Sequence, residues 1–254
     1  MVSIDITFIF GYHLNMRSEK FIVESSDTDV SMHLKLSSLF RMMQDTATNN
    51  AEEIGFGKRE TLEKGYLWVI SRYSVTLKEY PEYLDEFEII AYPCGRNKFI
   101  YPRNFIFKNK QGKIIGTASS IWTLLHKDTH RIALHALEDS EVPEEHVEGE
   151  EPLPQRIDVN DGEFIEERIV KYSDVDLNGH LNNTKYIEYI LDIHDNEFFK
   201  ENIIANITIN YERELSMGNK IQIFIKKEQN VEFIVGKAEN QRVFTAKLTL
   251  QKRQ

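Results

Sequence analysis

Apolar side chains recur at spacings of three and four residues in two parts of the chain. The first part runs from residue 36 to residue 54, with Ser37 as the expected N-cap and Gly55 as the expected C-cap. The second part runs from residue 186 to residue 193. This periodicity predicts two amphipathic helices, each with one face buried.

Segments rich in β-branched and aromatic residues follow each helical stretch and predict strands. Four such segments follow each helix, with 110–112 and 239–241 as expected hairpin turns. A strand, a long helix and then an antiparallel meander is an α+β pattern, in which the helix packs on an antiparallel sheet. This order of elements is that of a hotdog fold, and its repetition predicts a tandem (double) hotdog.

An internal repeat supports the duplication. SDTDVSMHLKL, residues 26–36, aligns without gaps on SDVDLNGHLNN, residues 173–183, with Ser, Asp, Asp, His and Leu at matched positions. We therefore predict an N-terminal half at 17–137, an acidic linker containing prolines at 138–159, and a C-terminal half at 160–254.

The formal net charge of −10 is unevenly distributed. Residues 138–151 contain eight Asp or Glu and no Lys or Arg, which leaves about −2 for the rest of the chain. We expect this segment to be a solvated linker. No basic excess or aromatic–basic motif indicates a nucleic-acid partner. No apolar stretch reaches about 18 uncharged residues, so no membrane span is expected.

A single cysteine, Cys94, excludes an internal disulfide framework and indicates a reducing compartment. The run MVSIDITFIFGYHLN at residues 1–15 lacks the basic start and the cleavage site of a signal peptide. We expect a cytoplasmic protein, either a monomer that is an internal pseudo-dimer or a homodimer.

Short polar side chains are concentrated directly before the second helix, in residues 174–183. Asp174, Asp176, Asn178 and Gly179 match the opening of a calcium loop, but Lys185 stands where a bidentate Glu should bind the ion. A cation at that place disfavours calcium, and we predict no metal and no cofactor.

The same residues suit hydrolysis by water. Asp176 could orient or deprotonate a water, Asn178 could hold that water or a carbonyl, and His180 could shuttle a proton. The first amides of the following helix could stabilise an oxyanion. For Asn182 or Asn183 taken singly, capping of the helix is the simpler role.

The segment DVDLNGHLNNTKYIEYILD resembles the D-x-N-x-H-x-N-N signature of acyl-acyl-carrier-protein thioesterases, and LKLSSLFRMMQDTA and TASSIWTLLHKDTHR resemble other parts of that family. The resemblance implies release of a free fatty acid from acyl-carrier protein, which terminates fatty-acid synthesis. It places the catalytic residues at Asp176, Asn178, His180 and Glu214. Leu215 occupies the place of a Cys in plant members, so catalysis by water is expected.

The resemblance also implies residues that bind substrate. Asn182 and Asn183 would lie beside the reacting group, and the N-terminal half would shape the acyl pocket. The remaining candidates are Trp68 and Met43 for the acyl chain, and Arg96, Lys98 and Arg103 for the acidic carrier protein.

Three alternatives stay open at this point. An acyl-CoA thioesterase would use the same chemistry, a hotdog module could bind acyl groups or calcium without catalysis, and a hydratase could share the fold. Glu212, two residues from Glu214, leaves the strand register undecided.

Overall fold

The computed structural model describes residues 15–137, 140, 142–176 and 178–253. The predicted lack of a signal peptide concerns residues that lie almost wholly outside these ranges. The elements of the N-terminal half are β1 Arg17–Ile22, α1 Leu36–Glu53, α2 Lys58–Glu63, β2 Tyr66–Leu77, β3 Glu86–Pro93, β4 Ile100–Asn109 and β5 Ile114–His126. Those of the C-terminal half are β6 Glu163–Ile169, α3 Asn183–Leu191, α4 Asn196–Glu201, β7 Asn202–Tyr211, β8 Lys220–Glu228, β9 Val231–Ala238 and β10 Gln241–Lys252.

All ten strands form one sheet, in the order β1-β3-β4-β5-β2-β7-β10-β9-β8-β6. The equivalent strands of the two halves are β1 and β6, β3 and β8, β4 and β9, β5 and β10, and β2 and β7. With this matching, the second half of the order is the first half in reverse. The halves meet where β2 pairs antiparallel with β7, from Arg72 opposite Asn210 to Thr76 opposite Asn206. The sheet therefore has a pseudo-two-fold axis at this seam, which confirms the tandem hotdog. The limits of the two halves and of the linker stay a prediction.

The long helices pack on one face of the sheet and share a single apolar core. In α1 the residues at the predicted spacing, including Leu39, Phe40 and Met43, are almost completely buried. Burying each such side chain contributes about 1.5–3 kcal/mol. The N-cap of α1 is Lys35 rather than Ser37. None of the helices in the described ranges is long and apolar enough to cross a membrane.

Half of residues 142–159 are exposed and the others are half-buried or buried, so the segment expected to be a solvated linker is solvated only in part. These residues cross the sheet on the face opposite the helices, where the Glu151 carboxylate accepts hydrogen bonds from Ser74 (3.2 Å), Thr76 (2.8 Å) and Thr117 (2.8 Å). Further along, the Ile157 carbonyl accepts a bond from Asn210. The linker thus lies across the seam and contacts strands of both halves.

A second polar contact joins the end of α3 to β9. His194 Nε2 lies 2.6 Å from Glu232 Oε2, and both side chains are about 95% buried (3% and 5% exposed). Burial raises the pKa of the Glu232 carboxyl, but the hydrogen bond and charge of His194, with Lys227 nearby, outweigh burial. The net pKa of Glu232 is below its ordinary value.

We predict that Glu151→Ala lowers the free energy of unfolding by roughly 1–3 kcal/mol, because three hydroxyl groups lose a charged acceptor. Urea unfolding measures the loss. Glu148→Ala is the matched control, since Glu148 is an exposed carboxylate of the same segment. Equal stability of the two variants would show that the Glu151 contacts contribute nothing.

We also predict that Glu232→Gln destabilises the protein near neutral pH but not in acid. A lowered native pKa gives stability that is present above the ordinary Glu pKa of about 4.3 and is lost as the pH falls through the native pKa. Urea unfolding of both proteins between about pH 7 and pH 3.5 tests this. The stability difference should shrink at the acid end, and a difference independent of pH would contradict the argument.

Candidate active site

The loop before α3 is shaped by the Asp176 carboxylate. Its Oδ1 accepts the backbone N–H of Asn178 (2.8 Å) and of His180 (3.4 Å), while the Asp176 N–H donates to the His180 carbonyl (2.8 Å). Gly179 completes the turn at φ +80°, where a side chain would be strained. Because the loop is closed on itself, the directions of the Asn178 and His180 side chains are fixed.

Glu214, three residues beyond β7, lies between two imidazoles. Its Oε2 is 3.4 Å from His180 Nδ1 and 4.0 Å from His130 Nδ1. Glu212 instead forms an ion pair with Arg242 at 3.0 Å. The side chains of His180, Glu214 and His130 are 29%, 45% and 53% exposed, so the cluster is open to a substrate from solution.

Lys58, the first residue of α2, reaches the same place from the N-terminal half. Its Nζ donates to Asn178 Oδ1 at 3.2 Å, and Asn178 Nδ2 lies 3.4 Å from Asp176 Oδ2. Lys58 and His130 were missed by the sequence analysis as members of a site. Lys58 and His130 come close to Asn178 and Glu214 because β2 pairs with β7. No local pattern in the sequence predicts that pairing.

The start of α3 differs from the expectation of amides open to a substrate. Asn182 is the N-cap, and its Oδ1 accepts both the N–H and the hydroxyl of Thr184 at 2.9 Å. The Lys185 N–H donates to the Asn182 carbonyl. Two first-turn amides are therefore already bonded, and that part of the oxyanion expectation is wrong. Contact of Asn182 and Asn183 with substrate stays a prediction.

The equivalent loop of the N-terminal half has the same shape without the same chemistry. Asp29 Oδ1 accepts the N–H of Ser31 (2.8 Å) and of His33 (3.1 Å). The residue of the N-terminal half that corresponds to Glu214 is Tyr80. His33 forms an isolated β-bridge with Glu82, and His180 forms the equivalent bridge with Ser216, so the residues two positions earlier, Tyr80 and Glu214, also correspond. The Tyr80 hydroxyl donates to the Ile204 carbonyl. Both Asp residues thus close a turn, but only the C-terminal loop faces a carboxylate at this position.

The two acyl-lining candidates lie in different apolar clusters. Met43 is completely buried in the main core beneath α1. Trp68 packs edge-on against Tyr101 at 4.9 Å and donates from Nε1 to the Phe56 carbonyl at 2.9 Å. Their contact with an acyl chain stays a prediction.

Two clefts of about 430 and 620 Å³ lie beside Arg213 on the C-terminal half. Charged and amide side chains line both, among them Lys237 and Asn240. Neither lining includes His180 or Glu214. Such polar walls do not suit an acyl chain.

Arg103 is a wrong assignment for docking of a carrier protein. It is 9% exposed, donates to Asn50 Oδ1 beneath α1, and burial lowers the pKa of its guanidinium to about 10. Arg96 is half-buried, with bonds to the carbonyls of Lys98 and Leu134. Lys98 is exposed. Docking by Arg96 and Lys98 stays a prediction.

Cys94 directly follows β3 and forms an isolated β-bridge with Glu144. Burial, followed by the charge of Glu150, raises the pKa of the thiol to about 12. A thiol with this pKa is a poor nucleophile near neutral pH.

The calcium hypothesis receives no support from the loop. The Asp174 carboxylate already accepts bonds from the Tyr189 hydroxyl (2.9 Å) and the Lys171 N–H (2.8 Å). Lys185 forms an ion pair with Glu188. Within the described ranges, no three carboxylate, imidazole or thiol side chains are placed to share a metal ion.

Comparison with known proteins gives two family matches. Residues 15–143 match the acyl-ACP thioesterase N-terminal domain, and residues 158–253 match the acyl-ACP thioesterase C-terminal domain. The palmitoyl-acyl carrier protein thioesterase of Gossypium hirsutum is 26% identical over 228 residues, which are 81% of this chain and 53% of that protein. The oleoyl-acyl carrier protein thioesterase 2 of Arabidopsis thaliana is 27% identical over 218 residues, 77% of this chain and 59% of that protein.

Solved structures show the same fold. An acyl-ACP thioesterase from Bacteroides thetaiotaomicron superposes with a TM-score of 0.86 at 28% identity, over 94% of this chain and 98% of that chain. The 12:0-ACP thioesterase from Umbellularia californica superposes with a TM-score of 0.83 at 19% identity, over 96% and 100%. With family matches over both halves and this shared architecture, the chain belongs to the acyl-ACP thioesterase family.

Proposed function

We propose that this protein hydrolyses acyl-acyl-carrier-protein thioesters to free fatty acid and carrier protein, and so terminates fatty-acid synthesis. The chain spans about half the length of the curated relatives it matches, although it covers nearly all of the Bacteroides thetaiotaomicron chain. The observation that carries the proposal is the position of the Glu214 carboxylate, 3.4 Å from His180, which lies on the loop whose Asn178 is bound by Lys58 of the other half.

The reaction begins with a water held at Glu214. The thioester carbonyl lies beside Asn178, whose amide group donates to the carbonyl oxygen. The ammonium of Lys58, bound to Asn178 Oδ1, polarises that amide and makes it a stronger donor. Glu214 takes a proton as the water oxygen bonds to the carbonyl carbon.

The tetrahedral intermediate then collapses. The carbon–sulfur bond breaks, and the proton held by Glu214 passes through His180 to the departing sulfur, which leaves as a thiol. One water is consumed, and one acid and one thiol are formed. His180 suits this transfer because one imidazole nitrogen can accept a proton while the other donates one.

Asp176 is a positioning residue in this scheme. Its carboxylate holds the backbone of the loop through Asn178 and His180, and its second oxygen lies near the Asn178 amide. The equivalent bonds of Asp29 show that this part of the arrangement needs no catalysis to explain it.

The substrate that the protein hydrolyses distinguishes the proposed function from the alternative functions. The same acyl group is offered on acyl-carrier protein and on CoA, with product release measured under identical conditions. Higher kcat/KM with the CoA thioester would favour an acyl-CoA thioesterase. Binding of the acyl group without turnover of either thioester would favour a non-catalytic module.

We predict that Glu214→Gln lowers kcat by roughly 10²–10⁴-fold, because the water loses its proton acceptor. Steady-state hydrolysis of an acyl-carrier-protein thioester measures the loss. Glu212→Gln, two residues away and paired with Arg242, is the control and should keep kcat within a few-fold of the natural protein. A fully active Glu214→Gln protein would remove this residue from the mechanism.

We further predict unequal effects of Asp176→Ala and Asp29→Ala. Each opens one copy of the same turn, so both should lower stability by about 1–2 kcal/mol. Only Asp176→Ala should lower kcat, by on the order of 10²-fold, and Asp176→Asn, which keeps an acceptor oxygen, should restore part of it. Equal kcat in the two alanine variants would contradict a positioning role.

A further inference from the structure

Exposed cations border the His180–Glu214 cluster on the side of the N-terminal half. They lie on α2, at the residue directly after it and on the turn after β5, and are Arg59, Lys64, Lys127 and Arg131. None of the four forms an ion pair with a residue of the described ranges. Elsewhere on the surface, cations such as Lys110, Lys220 and Lys252 are paired with a neighbouring Glu.

The two segments that carry these cations meet beside the site. The Lys127 N–H donates to the carbonyl of Gly65, the residue after Lys64, at 2.9 Å. In the same turn the His126 N–H donates to the Arg131 carbonyl. Both segments also reach the site itself, since Lys58 bonds to Asn178 and His130 lies 4.0 Å from Glu214.

The local charge is opposite to that of the molecule. Residues 58–64 and 126–131 together hold five cations and three carboxylates, a net charge of +2, whereas the chain carries −10. One of the three carboxylates, Glu60, accepts the Gly57 N–H at 3.0 Å. An acidic protein is repelled by most of this surface, so a positive area determines where an acidic partner can bind.

Apolar side chains continue this surface. Ile132 and Leu134, directly after the turn, are 46% and 54% exposed. A basic area with exposed aliphatic side chains suits a protein partner better than a free anion, because burial of the aliphatic groups adds to the charge attraction.

We propose that Arg59, Lys64, Lys127 and Arg131, with Ile132 and Leu134, form the docking surface for the acidic face of acyl-carrier protein. This inference rests on the proposed function. A carrier protein seated on α2 and the turn after β5 would present its thioester arm between Lys58 and His130, directly at Glu214. This surface would bind the carrier protein, the role that the sequence analysis expected of Arg103, which is buried.

The test compares charge-reversed variants on substrates with and without a carrier. Lys127→Glu/Arg131→Glu is the main variant, and Arg59→Gln/Lys64→Gln is a milder second one. Lys20→Glu/Lys78→Glu is the matched control, because both residues are exposed, form no ion pair with described residues, and lie away from the site. Binding of fluorescently labelled holo-carrier protein is measured by anisotropy. Hydrolysis is measured with dodecanoyl-carrier protein and with the uncharged dodecanoyl N-acetylcysteamine thioester.

We expect Kd and KM for the carrier to rise roughly tenfold or more in the main variant and less in the second. Activity on the N-acetylcysteamine thioester should stay within about twofold. Added salt should weaken carrier binding to the natural protein more than to the variant.

Unchanged carrier binding in the main variant, or an equal loss in the control, would overturn the docking surface. So would an equal loss of activity on both thioesters, since the segments would then act on the site and not on the carrier. If the natural protein binds the carrier through this surface but hydrolyses neither thioester, the docking surface stands and the proposed function fails.

Discussion

The antiparallel pairing of β2 with β7 is the constraint on which the candidate site depends. It joins two five-stranded units into one sheet and places the end of β7 beside the turn after β5. Only through this pairing do Lys58 and His130 reach Asn178 and Glu214. The candidate site is therefore completed by the joined halves, since Asn178, His180 and Glu214 belong to the C-terminal half and Lys58 and His130 to the N-terminal half.

Duplication explains how the same loop can carry different side chains in the two halves. Both halves keep an Asp that closes a turn through backbone N–H groups, because each turn must lead into a helix packed on the sheet. Side chains that point away from the turn are free to differ. Tyr80 in place of Glu214 and Ser31 in place of Asn178 leave the first loop without a carboxylate at that position and without the amide side chain. His33 lies 3.8 Å from Glu82 instead. The fold thus tolerates loss of the site in one copy while its backbone stays the same.

Acidic residues have unlike roles that follow from their surroundings. Glu151 is held by three hydroxyl groups on the far face of the sheet, and Glu232 by a buried imidazole at the end of α3. Glu214 is close to half exposed beside two imidazoles, so water and substrate can reach it. The cations next to it, which form no ion pair with a residue of the described ranges, stand out because the rest of the molecule is acidic.

The sequence by itself determined the duplication, the periodic core of α1, the α+β class and the polar loop with Asp176, Asn178 and His180, because each is recorded in spacing along one segment. It also identified Glu214 as a candidate, but it gave no reason to exclude Glu212. Only the tertiary structure shows that Glu214, and not Glu212, lies beside His180, brings Lys58 and His130 to the same place, buries Arg103 and lays the acidic linker across the sheet. These facts depend on strand register and on contacts between residues far apart along the chain, from 34 positions for Thr117 and Glu151 to 120 for Lys58 and Asn178, which local patterns do not contain.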